Sequence, residues 1–193
     1  MTCVPDARLG GIARRLLRSG PLAAAALVCA VAAPGAAAAG CPNANRQLGE
    51  ITIKQARAAT FCLINKQRTS RGLVALKEND ALRKAARLHS QDMVAHHYFS
   101  HVDQSGGHSW DRARAAGYTT GYKSWYVTEN IYWGSQSKGT PAAAVSWWMG
   151  SDVHRHNILL AKLRDIGIGI AAGAPKQGAS NAATYTTDFG VRS

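Results

Sequence analysis

RDIGIGIA, residues 164–171, is the stretch that decides how this chain folds. Its side chains alternate with strand period: Ile166, Ile168 and Ile170 point one way, Gly167 and Gly169 the other. One face is core. The other carries no side chains and allows a neighbouring element to come close. KQGASN then reads as a hairpin-like connection to a last strand over residues 183–191. Upstream, YVTENIYWG (residues 126–134) is a third strand, with Val127, Glu129, Ile131 and Trp133 on one face. Glu129 is an acid in an apolar row. A carboxylate left unpaired there costs several kcal/mol, on the order of 3 to 5, so Glu129 needs a partner.

Helical spacing dominates the first half. Ala56, Ala59, Leu63 and Ile64 mark a helix over residues 53–71, closed by Gly72. A second helix starts near Glu78-Asn79-Asp80 and carries the stripe Leu82, Ala85/Ala86, His89, Met93. Ser109 is placed to cap a short helix over residues 110–116. Thr140-Pro141, a cap followed by a first-turn proline, opens another through AAAVSWWM. SDVHRHNIL reads as a turn or a short helical piece. Helices come mostly first and strands late, which predicts an α+β fold with an antiparallel sheet covered by helices.

The first forty residues read as a signal peptide rather than fold. Arg8, Arg14, Arg15 and Arg18 precede the apolar run PLAAAALVCAVAAPGAAAAG, a positive n-region, a short h-region and small residues suited to cleavage between Ala36 and Cys41. The apolar core, residues 22–31, is short for a membrane span, although an inserted anchor helix is the alternative. Arg14-Arg15 hints at a twin-arginine route, with poorly fitting flanks. What remains, residues 41–193, suffices for one domain, secreted from the cytoplasm and expected to be a monomer, with no transmembrane segment after processing.

Two cysteines remain there, Cys41 and Cys62, and an even pair in an oxidising compartment predicts one disulfide. AAGC also loosely resembles a lipoprotein processing site, under which Cys41 carries a lipid anchor and Cys62 is left unpaired. From Cys41 onward, 19 Lys and Arg face 10 Asp and Glu, a formal charge of +9. Such a protein associates with anionic surfaces such as phospholipid or acidic wall polymers, unless the charge serves solubility alone. The basic residues are scattered and no nucleic-acid motif is present, which argues against nucleic acid as a partner.

The histidines divide by position. His89 lies on an apolar helix stripe and reads as a core histidine. His96 and His97 suit a helix C-terminus. His108, in a Gly-rich loop, reads as solvated. His101 in FSH and His154 in SDVHR sit at element ends beside small polar residues, anchored by Phe99 and by Ile158-Leu159. Spacing does not separate His156 from His154, and sequence does not place either imidazole beside Glu129.

Taken in order, CLINKQR (62–68), HSQDM (89–93), FSH (99–101), TENIYWG (128–134), SWWMGSDVHRHNIL (146–159), DIGIGIA (165–171) and YTTDFG (185–190) resemble the CAP superfamily of cysteine-rich secretory, antigen 5 and pathogenesis-related proteins, in its bacterial secreted branch. Each stretch is weak alone; together they cover nearly all of residues 41–193. The resemblance implies a three-layer α-β-α sandwich around a central antiparallel sheet. It also implies a cleft in which His101, Glu129 and His154 meet. In animal and plant relatives a second Glu follows a helix Trp by three residues; here that position is Ser151. The missing acid weakens both a divalent-metal site and a two-carboxylate mechanism.

Three functions follow. The first is a non-catalytic extracellular binding module, with His101, Glu129 and His154 as weak ligands to a divalent cation such as Zn²⁺, water filling the fourth position, and lipid or glycan as further ligands. The alternative is a secreted, peptidase-like hydrolase using Ser151, His154 and Glu129, although neither GxSxG nor HExxH is present. In the third, the His–Glu cluster only locks the cleft, and Trp125, Tyr126, Tyr132 and Trp133 line a groove for lipid or glycan.

Overall fold

In the computed structural model, which describes residues 40–193, helix α1 (Ile53–Thr69) begins at a capping box. The Thr52 hydroxyl accepts from the Gln55 backbone N–H, and the Gln55 side chain accepts from that of Thr52. The leader, with Cys3 and Cys29, lies outside the described residues. Cys41 and Cys62 form the expected disulfide, their Cα atoms 5.7 Å apart, which ties the start of the described chain to α1. Lipidation would need the Cys41 sulfur that this bond uses. Among the described residues no helix is long and apolar enough to cross a membrane.

Strand β1 (Lys77–Glu78) leads into α2 (Asp80–Ala95), where the Asn79 side chain accepts from the Ala81 and Leu82 N–H groups. Helix α3 (Ser109–Ala115) starts one residue earlier than the sequence predicts. His108, not Ser109, stands at its cap, and the Asp111 carboxylate accepts from the His108 N–H. Strand β2 (Trp125–Ser135) is followed by a 3-10 turn (Gln136–Gly139) and α4 (Pro141–Gly150), capped by Thr140 as expected. SDVHRHNIL is helical, as α5 (Asp152–Leu159). Strands β3 (Asp165–Ala172) and β4 (Ala182–Arg192) complete the sheet.

The sheet order is β1-β3-β4-β2. The β3–β4 and β2–β4 pairs are antiparallel; β1 adds two residues parallel to β3, too short a run to show in a periodicity. Helices α2 and α3 cover one face, and α1, α4 and α5 the other. The three-layer α-β-α sandwich is therefore present. The larger core, with Trp148, Tyr185, Phe189 and the three β3 isoleucines, lies under α1, α4 and α5. A smaller one, Leu82, Ala113, Tyr118 and Val127, lies under α2 and α3.

The glycines of β3 explain how α2 sits. A Cβ on Gly167 would stand 2.1 Å from the Leu82 carbonyl carbon, and one on Gly169 2.2 Å from that of Ala86. Helix backbone rests directly on strand backbone. On the opposite face a fully buried cation does comparable work. Arg68 has no acidic partner among the described residues; its guanidinium donates to the carbonyls of Val74, Ile158 and Leu160 at 2.9, 2.7 and 3.1 Å. It thereby holds the end of α1 to the end of α5, where helix carbonyls carry partial negative charge. Burial lowers its pKa.

Candidate binding cleft

Glu129 lies mid-way along β2, its side chain almost wholly buried. Two groups meet it. His101, in the loop after α2, places Nδ1 2.7 Å from Oε1, and Arg112 of α3 places Nη2 2.7 Å from Oε2. Charge-assisted bonds of this length answer how an acid survives in that row. His101 was expected there. Arg112 was not, because it lies on another element 17 residues upstream. Arg112 is fixed in turn by the carbonyls of Gly107 and His101.

Asp188 is the second residue the sequence reading missed. It stands directly opposite Glu129 in the β2–β4 register and is fully buried. No donor reaches either of its oxygens, and no salt bridge reaches it among the described residues. Burial, then the facing Glu129 carboxylate, raises its pKa well above the usual carboxylate range. Since Arg112 and His101 bond Glu129 and not Asp188, the negative charge of this acid pair is favoured on Glu129, and Asp188 is the member driven towards its neutral form. The signal available in the sequence was an acid in YTTDFG, in the middle of a strand whose adjacent residues are uncharged.

His89 behaves as a core histidine. Its Nε2–H donates to the Ser100 carbonyl at 2.9 Å, and Glu129 Oε2 is 3.9 Å away. Burial lowers its pKa and keeps it neutral. His154 does not bond Glu129. Its Nδ1 lies 2.8 Å from the Ser151 hydroxyl, and its ring packs 4.8 Å from Trp147. Burial, then the nearby His101, lowers its pKa. Helix α5 is fastened to β2 by amides: Asn157 donates to the Glu129 carbonyl at 3.1 Å and Asn130 to the His154 carbonyl at 3.0 Å. His101 and His154 thus flank the same part of β2, but only His101 touches the acid.

The three side chains expected as metal ligands point to different partners. Glu129 spends one oxygen on His101 and the other on the Arg112 guanidinium, and His154 is turned to Ser151. Among the described residues no three of His, Cys, Asp and Glu gather as a metal-holding group. The expected ligand set of His101, Glu129 and His154 is not assembled in this arrangement.

Beside His101 opens a cavity of about 580 Å³. Trp110, Trp125 and Tyr126 wall it, each about 40% exposed (43, 37 and 37%), and Glu129 and Thr128 line it as well. His108, expected to be solvated, lines this cavity and stacks on Trp110, ring centroids 4.2 Å apart. The aromatic set differs from the expected one. Trp125 and Tyr126 face the cleft, whereas Tyr132 is buried against Trp148 and Tyr185, with its hydroxyl on the Lys138 carbonyl. Trp133 is half-buried and has Lys176 over its ring.

The model of the cysteine-rich secretory protein (CAP) family matches residues 61–187. The chain belongs to the CAP family. Over 107 residues, 55% of its length, it is 37% identical to YkwD, an uncharacterized protein of Bacillus subtilis (strain 168), and that match takes in 39% of YkwD. Among solved structures it is similar to an extracellular protein containing an SCP domain from Bacillus anthracis, at 25% identity and TM-score 0.55, over 72% of this chain and 43% of that one. An outer surface protein of Borrelia burgdorferi shares the fold at TM-score 0.61 and 18% identity, over 74% of this chain and 97% of that one. The chain therefore spans about two fifths of the two Bacillus relatives.

Proposed function

We propose that this CAP domain is a secreted, non-catalytic binding module whose cleft takes a sugar ring of a glycan. The cavity carries the reading: three half-exposed aromatic rings around a polar floor suit a ligand with apolar ring faces and hydroxylated edges. His101 Nδ1 is committed to Glu129, and its half-exposed ring leaves Nε2 for a ligand hydroxyl. Secretion is supported by the leader, the disulfide and the extracellular relative. The test is titration with chitohexaose, followed by tryptophan fluorescence and calorimetry. Saturable binding should weaken by about tenfold or more in Trp125→Ala, the scale of one lost aromatic contact. Binding that survives this change, or none in the parent protein, rejects the cleft.

The hydrolase reading has one observation in its favour, the Ser151–His154 contact with a histidine held neutral. Neither residue lines the aromatic cavity. Mass spectra of the same incubations decide between the two: hydrolysis products that vanish in Ser151→Ala would replace binding with catalysis.

A further inference from the structure

Two more depressions continue from the aromatic cleft. Trp125 and Tyr126 also wall a depression of about 310 Å³ that holds Lys162 and Arg192. Arg192 in turn lines a third, of about 390 Å³, with Lys77, Arg164 and Tyr122. Each shares wall residues with the next, so the three lie as a row of neighbouring depressions, a track along the end of the sheet where β2 and β4 pair, Trp125 opposite Arg192.

The charge along this track is uneven. The aromatic end contains Glu129 and no Lys or Arg. The other two depressions contain four cationic side chains, and Asp165 is the one acidic side chain lining them. Asp165 is already engaged by the Tyr118 hydroxyl at 2.8 Å and by Arg192 at 3.6 Å. Lys77 and Lys162 have no acidic partner among the described residues. Aromatic rings hold two of the cations in place: Lys162 Nζ lies 3.6 Å from the centre of the Tyr126 ring, and the Arg192 guanidinium 4.4 Å from that of Tyr122. The net charge of +9 over residues 41–193 favours an anionic ligand at long range as well.

We propose that the track binds a linear anionic glycan, a neutral sugar ring resting in the Trp125–Tyr126 cleft and acidic groups of the following residues lying against Lys162 and Lys77. This rests on the sugar-binding reading of the cleft and adds the class of polymer. A nucleic acid fits less well because the basic residues are scattered and no nucleic-acid motif is present. A membrane surface is a poorer match because the aromatic rings line recesses with a polar floor, and the lysines sit in those same recesses.

The experiment compares two hexasaccharides by calorimetry: neutral chitohexaose, and hyaluronan hexasaccharide, in which glucuronate alternates with N-acetylglucosamine. The acidic ligand should bind about tenfold more tightly in low salt, the scale of two exposed charge contacts, and added salt should erase the difference. Lys77→Gln with Lys162→Gln should remove that advantage while chitohexaose affinity stays unchanged. The salt series gives the same reading on the unmutated protein. Chitohexaose binding without an acidic advantage, or an advantage that survives in the double variant, overturns the anionic track and leaves the cleft intact. Failure of both sugars removes the cleft reading, and the track with it. Association with phosphatidylglycerol vesicles in place of hyaluronan would overturn the glycan in favour of a lipid surface.

Discussion

Replacing Asp188 by Asn tests the buried acid pair. The amide has nearly the shape of the carboxyl and, like the protonated acid, carries no charge. What disappears is a proton. In the unfolded chain Asp188 ionises near its ordinary value of 3.8; in the folded protein burial and Glu129 raise that value well above this. Between the two, the native state holds one proton that the unfolded state has released. Stability from this group is therefore fully present below the unfolded value and is lost as pH rises towards the folded one. One proton corresponds to about a tenfold change in the unfolding constant per pH unit. Urea unfolding followed by tryptophan fluorescence, at about pH 5 and about pH 6 and constant ionic strength, measures it. His89 and His154 titrate in both proteins and largely cancel in the comparison. Asp188→Asn should gain on the parent as pH rises, by at most about tenfold per pH unit. A difference between the two proteins that does not change with pH would refute a protonated Asp188.

Other consequences are simpler to measure. Gly169→Ala puts a methyl 2.2 Å from α2 backbone and should cost about 3 kcal/mol in urea unfolding, whereas Gly150→Ala, with nothing within 4 Å, should be neutral or slightly stabilising. Equal effects at the two sites would refute direct backbone contact. Replacing Cys41 and Cys62 together by Ser should cost about 3 kcal/mol by the same measurement, the loop-closure estimate for a 21-residue separation. An unchanged urea midpoint would show that the bond constrains little.

The layers were legible because they are written locally. Ile166 to Ile170 alternate, Thr140-Pro141 is a start signal of short range, and the motifs stand in family order. Glu129 drew notice for a similar reason, an acid within an apolar strand. Its partners were harder to read. Arg112 reaches it because α3 packs over β2, and Asp188 because β2 and β4 pair in one register; a shift by one residue would turn Asp188 to the other face. His154 was expected to meet the acid, but three residues before it on the chain Ser151 offers a nearer hydroxyl. His108 looked solvated because its partner, Trp110, becomes a neighbour only once α3 forms.

Strand β2 forms a border of the sheet, eleven residues long. Borders of that length invite pairing with another polypeptide. Here the carbonyl of Glu129 receives the Asn157 amide and that of Ile131 receives the Trp148 indole N–H at 3.0 Å. These acceptors alternate along the outward side, and side chains from α5 and α4 occupy both. The helices that carry the His154 corner of the molecule thus also cover the middle of this border, and loosening them would open a template for fibrous self-association.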